Sequence, residues 1–166
     1  SSWEESDDGD DALGSSRSSA SSSSSSSVQK RKKKRYKSCA VVGNSGSLLE
    51  TQFGFDIDKN EAVIRFNAAV TQGYEQFVGQ KTTVRLLNAV DYKGPEGTEG
   101  ELRLTTARGS DVKTWVKKLE QKPEDIRNRS FVLDPEMLCH AWAWIGKHGE
   151  KPSSGLVGVV LALKMC

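Results

Sequence analysis

Cys39-Ala-Val-Val-Gly-Asn-Ser-Gly-Ser47 is a short apolar run that breaks into a turn of glycine, asparagine and serine. Four apolar residues bounded by turn formers read as a buried strand over Cys39 to Val42, with a turn over Gly43 to Ser47 and a short helix over Ser47 to Phe53. Outward from there the pattern repeats. Ala62 to Phe66 and Thr82 to Leu87 are β-branched enough for two more strands. Asp111 to Gln121 places Val112, Trp115, Val116 and Leu119 at helical spacing and stops before Pro123. Ser130 to Leu133 reads as a fourth strand, and Pro135 to Ile145 as a helix with Asp134 as its N-cap and proline at the first helical position. A last helix begins at Ser153 or Ser154 and runs to Met165. Strands alternating with helices predict an α/β layered fold, a largely parallel sheet with flanking helices.

The 166 residues divide sharply by composition. Residues 1–27 carry six acidic side chains against Arg17, residues 28–37 carry seven basic ones and no acidic one, and residues 38–166 balance at sixteen each. The formal charge of +2 thus conceals an acidic tail, a basic run and a neutral body. Residues 14–27 are nearly all serine and have nothing to bury, which predicts a solvated stem or linker over 1–37 and a folded part over 38–166. Lys30 to Lys37 reads either as a nuclear address or polyanion contact, or as a solvated charge run beside a strand. No stretch of about 18 apolar residues is present to span a membrane. The start at Ser1 and the end on Cys166, at the close of an apolar segment, read as a fragment of a longer protein. Three cysteines at 39, 139 and 166 lack metal-ligand spacing and allow one long-range bridge with one free thiol.

Two segments have the makings of an anion site. Gly43-Asn-Ser-Gly-Ser47 follows a strand, where open α/β sheets collect ligands, and its glycines permit close backbone approach while Asn44, Ser45 and Ser47 offer uncharged donors. It is neither GxGxxG nor a Walker loop, and an ordinary strand-to-helix turn accounts for it equally. Pro152-Ser-Ser-Gly155 opens a helix, whose first N–H groups and dipole favour an anion, although serine at that place is also the common cap. Leu156, Val157, Val159, Val160, Leu161 and Leu163 leave no polar face before Lys164, which predicts burial on nearly all sides.

Together these segments strongly resemble the sialyltransferases, glycosyltransferase family 29. Cys39 to Leu49, with Phe55-Asp-Ile-Asp58, Ala62-Val-Ile-Arg-Phe-Asn67, Thr71 and Val78 to Thr83, is similar to the family's large sialyl motif, and Pro152 to Cys166 to its small motif. The resemblance implies a sialyltransferase-type variant of the GT-A fold, here incomplete at the C-terminus. It implies transfer of sialic acid from a CMP conjugate to a glycan hydroxyl, with inversion and without a metal or other cofactor. By resemblance, Asn44, Ser45 and Asn67 hold the donor's phosphate and ribose, Ser153, Ser154 and Gly155 meet the nucleotide from the helix, and Cys39 and Cys166 form a disulfide. The family's catalytic base is a histidine downstream of the small motif, beyond Cys166, and His140 and His148 match no family position. Donor sugar and acceptor glycan on protein or lipid are the implied partners, with no nucleic acid. The implied home is the Golgi lumen, held by an upstream type II anchor.

Other features are weighed beside that resemblance. Asp56-Ile-Asp58 has the DxD form of manganese-dependent transferases but falls inside the large-motif resemblance, so no metal site is expected. Asn128-Arg-Ser130 is a glycosylation sequon if it faces the lumen. Cys139 is expected to be a buried free thiol, and Trp142 and Trp144, near Lys147 and His148, to pack in the core rather than stack on a glycan. The chain has Val70 where the large motif usually has proline and Lys151 where small polar or aromatic residues often precede the small motif. Those departures leave open a related acidic sugar such as Kdo as the donor. A catalytically inactive homologue acting as a binding protein is the alternative from another class.

Overall fold

The computed structural model describes residues 36–88, 99–106, 109–146 and 148–166. The serine-rich tract and the basic run up to residue 35, and Lys147, lie outside the described residues. All the described residues belong to one unit of the chain.

Among the described residues five strands form the sheet: β1 (Cys39–Val41), β2 (Ala62–Phe66), β3 (Val84–Leu87), β4 (Leu102–Thr105) and β5 (Ser130–Val132). They lie in the order β1-β2-β3-β4-β5 and every neighbouring pair is parallel. Among the described residues six helices connect and cover them: α1 (Gly54–Asp58), α2 (Glu75–Val78), α3 (Ser110–Glu120), α4 (Glu124–Asn128), α5 (Pro135–Trp144) and α6 (Ser154–Met165). A 3-10 helix, Gly46–Glu50, follows β1, capped by the Ser45 hydroxyl.

Alternation along the strands assigns the two sheet faces. Ile64, Phe66, Val84, Leu86 and Leu104 share one buried core with Leu138 and Ala141 of α5 and Val157, Val160 and Leu161 of α6. The other face carries Arg65, Arg85 and Arg103, brought side by side by the parallel register and each almost fully buried. A cavity of about 80 Å³ opens on this second face, lined by Leu87, Arg103, Thr105, Trp115, Leu119 and Ile126 among others.

The layered parallel fold is as expected, and its details differ from the sequence reading at several points. Residues 47–53 do not form one helix; the 3-10 turn ends at Glu50 and α1 starts afresh at Gly54. β4 was not anticipated, because its segment mixes leucine with charge and the charges turn out to be buried: Glu101 is fully enclosed beside Arg85 and Arg103. α6 is not buried all round. Its Val157, Gly158, Val160 and Leu161 face the sheet and α5, while Val159 and Leu163 are exposed at 42% and 58%. Cys139 is an exposed free thiol, since its turn of α5 directs Leu138 and Ala141 inward instead. Trp144 is exposed and Trp142 half-buried.

Gly158 is where α6 touches the sheet most closely. A Cβ there would stand 2.5 Å from Phe66 Cζ and 2.8 Å from Cε1. Gly158→Ala gains helix propensity of about 1 kcal/mol, but overpacking against a buried ring costs about 1–3 kcal/mol. The expected net result is a destabilised protein with a lower urea midpoint, and an unchanged or higher midpoint would show that Phe66 can rotate out of the way.

Candidate functional site

Three strands of the sheet are followed within three residues by an asparagine. Asn44 lies two residues after Val42, Asn67 directly follows β2, and Asn88 directly follows β3. Parallel strands put all three at one carboxyl edge, where peptide groups run out of ladder partners and side-chain amides take over. Asn44 spends one Nδ2 hydrogen on the Phe66 carbonyl at 3.0 Å, which ties the loop after β1 to the end of β2. Asn67 adopts a left-handed φ of 46°, and it is the one described non-glycine residue that does so. Its N–H donates to Leu86 O at 2.8 Å and its Oδ1 accepts from the Asn88 N–H at 2.9 Å. The Asn67 Nδ2 group is thereby oriented with its donors uncommitted among the described residues.

The N-terminus of α6 closes the same edge. Ser153 caps it, its hydroxyl accepting from the Leu156 N–H at 3.2 Å, and Ser154 Oγ lies 3.3 Å from Asn88 Oδ1. At its far end α6 is anchored twice to the start of the sheet: the Tyr36 N–H donates to Met165 O at 2.9 Å, and a disulfide joins Cys39 to Cys166 with their Cα atoms 6.2 Å apart. The helix therefore runs opposite to the strands and turns the positive end of its dipole toward the asparagines.

Glycine use at this edge is informative. Gly43, Gly46 and Gly155 have nothing, or only Ser153 Oγ at 3.9 Å, in the space a Cβ would fill, and none has a left-handed φ. Among the described residues neither packing nor backbone conformation requires glycine at these places. Glycine 79 is the opposite case: its φ is 69° and a Cβ would run into the Asp58 carboxylate and the Gly54 carbonyl.

Of the residues singled out from sequence, Asn44, Asn67, Ser154 and Gly155 come to this edge. Ser45 and Ser153 come there too, with their hydroxyls engaged as caps. Asn88 was missed, although its place directly after a strand repeats that of Asn67. Asp56 and Asp58 are occupied elsewhere. Asp56 pairs with Lys59 at 3.0 Å, and Asp58 accepts from the Gln80 and Lys81 N–H groups at 2.9 Å, bracing the turn after α2. Among the described residues no group of three His, Cys, Asp or Glu side chains could hold a metal ion. His140 is an exposed α5 residue 3.4 Å from Glu136. Asn128 is exposed at the end of α4, while the sequon's Ser130 hydroxyl is buried and donates to Ile126 O at 2.7 Å. Burial, opposed by Asp58 and reinforced by Arg85, lowers the Arg65 guanidinium to about 10, so it stays charged near neutral pH.

A parallel sheet with asparagines and a serine-capped helix terminus at its carboxyl edge defines a layered α/β protein of the kind that gathers anionic ligands at that edge. Residues 13–100, just over half of the chain, match the family model for glycosyltransferase family 29 (sialyltransferase), and the chain belongs to that family. It is 28% identical over 155 residues to the β-galactoside α-2,6-sialyltransferase 2 of Pan troglodytes, covering 78% of this chain and 29% of that protein. It is 34% identical over 143 residues to CMP-N-acetylneuraminate-β-galactosamide-α-2,3-sialyltransferase 1 of Gallus gallus, covering 78% and 42%. A crystal structure of a mammalian sialyltransferase superposes with a TM-score of 0.68 at 28% identity, over 77% of this chain and 51% of that one. The same match is made by a mammalian sialyltransferase in complex with Gal-β-1-3GalNAc-ortho-nitrophenol. The chain spans less than half the length of these two curated relatives.

Proposed function

We propose that the protein containing this chain transfers sialic acid from a CMP conjugate to a glycan hydroxyl, and that the asparagine edge holds the CMP. The supporting observation is the set of open glycines: Gly43, Gly46 and Gly155 leave backbone bare where no described residue needs the space, and close approach of a ligand to the peptide groups is a use that glycine serves. Asn44 and Asn67 donate to the phosphate and ribose, Ser45 shapes the loop between them, and Ser153, Ser154 and Gly155 present the first N–H groups of α6. CMP departs as an anion, and fixed neutral donors with a helix dipole stabilise the charge that develops on it without having to reorganise. His140 and His148 are given no part in activating the acceptor. Relatives named for galactoside acceptors support a glycan on protein or lipid as the acceptor class. Residues 1–37 act as a stem carrying the domain 38–166, and the protein works in the Golgi lumen as a type II membrane protein; among the described residues no helix is long and apolar enough to cross a membrane. Asn128 is the proposed glycan attachment point.

Gly155→Ala and Asn44→Ala test this reading by calorimetric titration with CMP. Alanine at 155 meets only Ser153 Oγ at 3.9 Å and should stabilise α6 by about 0.5–1 kcal/mol, yet it should weaken CMP binding. Asn44→Ala should weaken it roughly ten- to a hundredfold, the cost of one hydrogen bond to a charged group. CMP affinity unchanged in both variants would remove the nucleotide from this edge.

A further inference from the structure

We propose that the buried Arg85–Glu101 pair is the positioning device for Asn67, an inference that rests on the nucleotide reading of the asparagine edge. Asn67 holds a φ of 46°, a conformation uncommon for residues with a side chain though best tolerated by asparagine, and here held by hydrogen bonds from several directions. Two of its groups are fixed by neighbours on the sheet edge, as described above. The third is its carbonyl, which turns back toward the arginine face and accepts from Arg85 Nη1 at 2.8 Å. Arg85 Nη1 also lies 3.5 Å from the Ala69 carbonyl, so one guanidinium spans the bend that leaves β2.

Arg85 can do this because it cannot move. Its Nε donates to both oxygens of Glu101 at 2.9 and 3.1 Å, and the two side chains are 3% and 0% exposed. Glu101 just precedes β4, with its backbone carbonyl held by Arg129 Nη1 at 3.2 Å, so its carboxylate is as fixed as the sheet. The pair is a poor choice for stability alone. Arg65 and Arg103 flank Arg85 in register on the neighbouring strands, and a buried ion pair is often matched or bettered by apolar side chains of the same volume. What apolar side chains cannot supply is a donor for the Asn67 carbonyl. The guanidinium also sets a positive charge directly behind the peptide whose side chain meets the phosphate. Arg85 and Glu101 act through Asn67 and touch no substrate, which makes them positioning residues.

A double-mutant cycle in the full-length protein tests this, read by calorimetric titration with CMP. Arg85→Gln removes the charge and shortens the reach to Asn67 O. It should weaken CMP binding about tenfold when Asn67 is present and less than twofold in the Asn67→Ala background, and Arg85→Lys should restore part of the loss. Equal losses in both backgrounds, or wild-type affinity in Arg85→Gln where Asn67→Ala weakens binding, would overturn the proposal. If Arg85→Gln does not fold, Glu101→Gln, which leaves Arg85 present but unanchored, carries the same cycle. Failure of the nucleotide reading looks different: Asn67→Ala alone would leave CMP affinity unchanged. The positioning claim is then judged without ligand, from the Asn67 amide in asparagine-labelled NMR samples. Loss of its left-handed coupling constant and faster exchange in Arg85→Gln support the device, and an unaltered Asn67 signal refutes it.

Discussion

Replacing Cys39 and Cys166 by serine is expected to lower the stability of the folded unit by about 5 kcal/mol, the entropy of closing a loop in the unfolded chain between cysteines 127 positions apart. With a urea dependence of about 1–3 kcal/mol per molar for domains of this size, the midpoint should fall by roughly 2–5 M. The bridge joins the first residue of β1 to the residue that ends α6, so the unfolded chain gains nearly all the freedom of the folded unit when it is cut. A local effect adds to this. With the bridge gone, the far end of α6 is held by the Tyr36–Met165 hydrogen bond and by packing of Val157, Val160 and Leu161. Fraying should therefore start at Met165 and leave the Ser153 cap until last, so CMP affinity well below the midpoint should change less than twofold. Because Cys139 is an exposed thiol, it must be serine in every protein compared, or exchange would scramble the bridge during denaturation. A midpoint shift below 0.5 M would show that the unfolded chain is already compact enough to make the bridge redundant.

What could be read from the sequence follows from where the physics is local. β1 and β2 were legible because short, mostly apolar runs bounded by turn formers read as strands, although β1 turns out half-buried rather than buried. α5 and α6 were legible from their caps, Asp134 before Pro135 and Ser153 before an apolar run. α1 was not, since it is one turn long and Phe53 at its N-cap makes no side-chain cap hydrogen bond. β4 was hidden for a different reason. Its Arg103 and the adjacent Glu101 look like surface residues until the register sets them beside Arg85, and charge neutralised across strands leaves no periodic signature along one strand. The same holds for the site. Asn44 and the Pro152-Ser-Ser-Gly155 segment were visible as a turn and a cap and Asn67 through the family resemblance, whereas Asn88 and Arg85 gain meaning only from contacts 21 and 18 residues away in sequence. Overestimating the burial of α6 was a counting error of faces: an all-apolar helix still presents one side to whatever the sheet does not cover.

Gly54→Ala is expected to have the other large effect, about 3 kcal/mol or more in stability together with weakened CMP binding. Gly54 opens α1 at its contact with α2, and a Cβ there would run into the Glu75 carbonyl and stand 2.9 Å from the carbonyl carbon and oxygen of Gln76. These are backbone atoms inside a helical turn, so no rotamer change relieves the clash. The two short helices must move apart, and overpacking of that kind sits at or above the upper end of the usual 1–3 kcal/mol. Separation would not stay local. Asp58, at the end of α1, accepts from Gln80 and Lys81 in the turn after α2, and that turn in turn supplies the Lys81 and Val78 carbonyls that hold Arg65 at 3.0 and 2.7 Å. α2 also packs against the 3-10 helix that carries Ser47 and follows the Asn44 loop. Displacing α2 thus loosens the loop at the asparagine edge from behind, and CMP affinity should fall with stability. Gly46→Ala is the control, since a Cβ there meets nothing within 4 Å and should leave stability within about 0.5 kcal/mol of wild type. If Gly54→Ala is as stable as Gly46→Ala, α1 and α2 are free to slide past each other, and the chain of contacts from Gly54 to Asn44 does not transmit the strain.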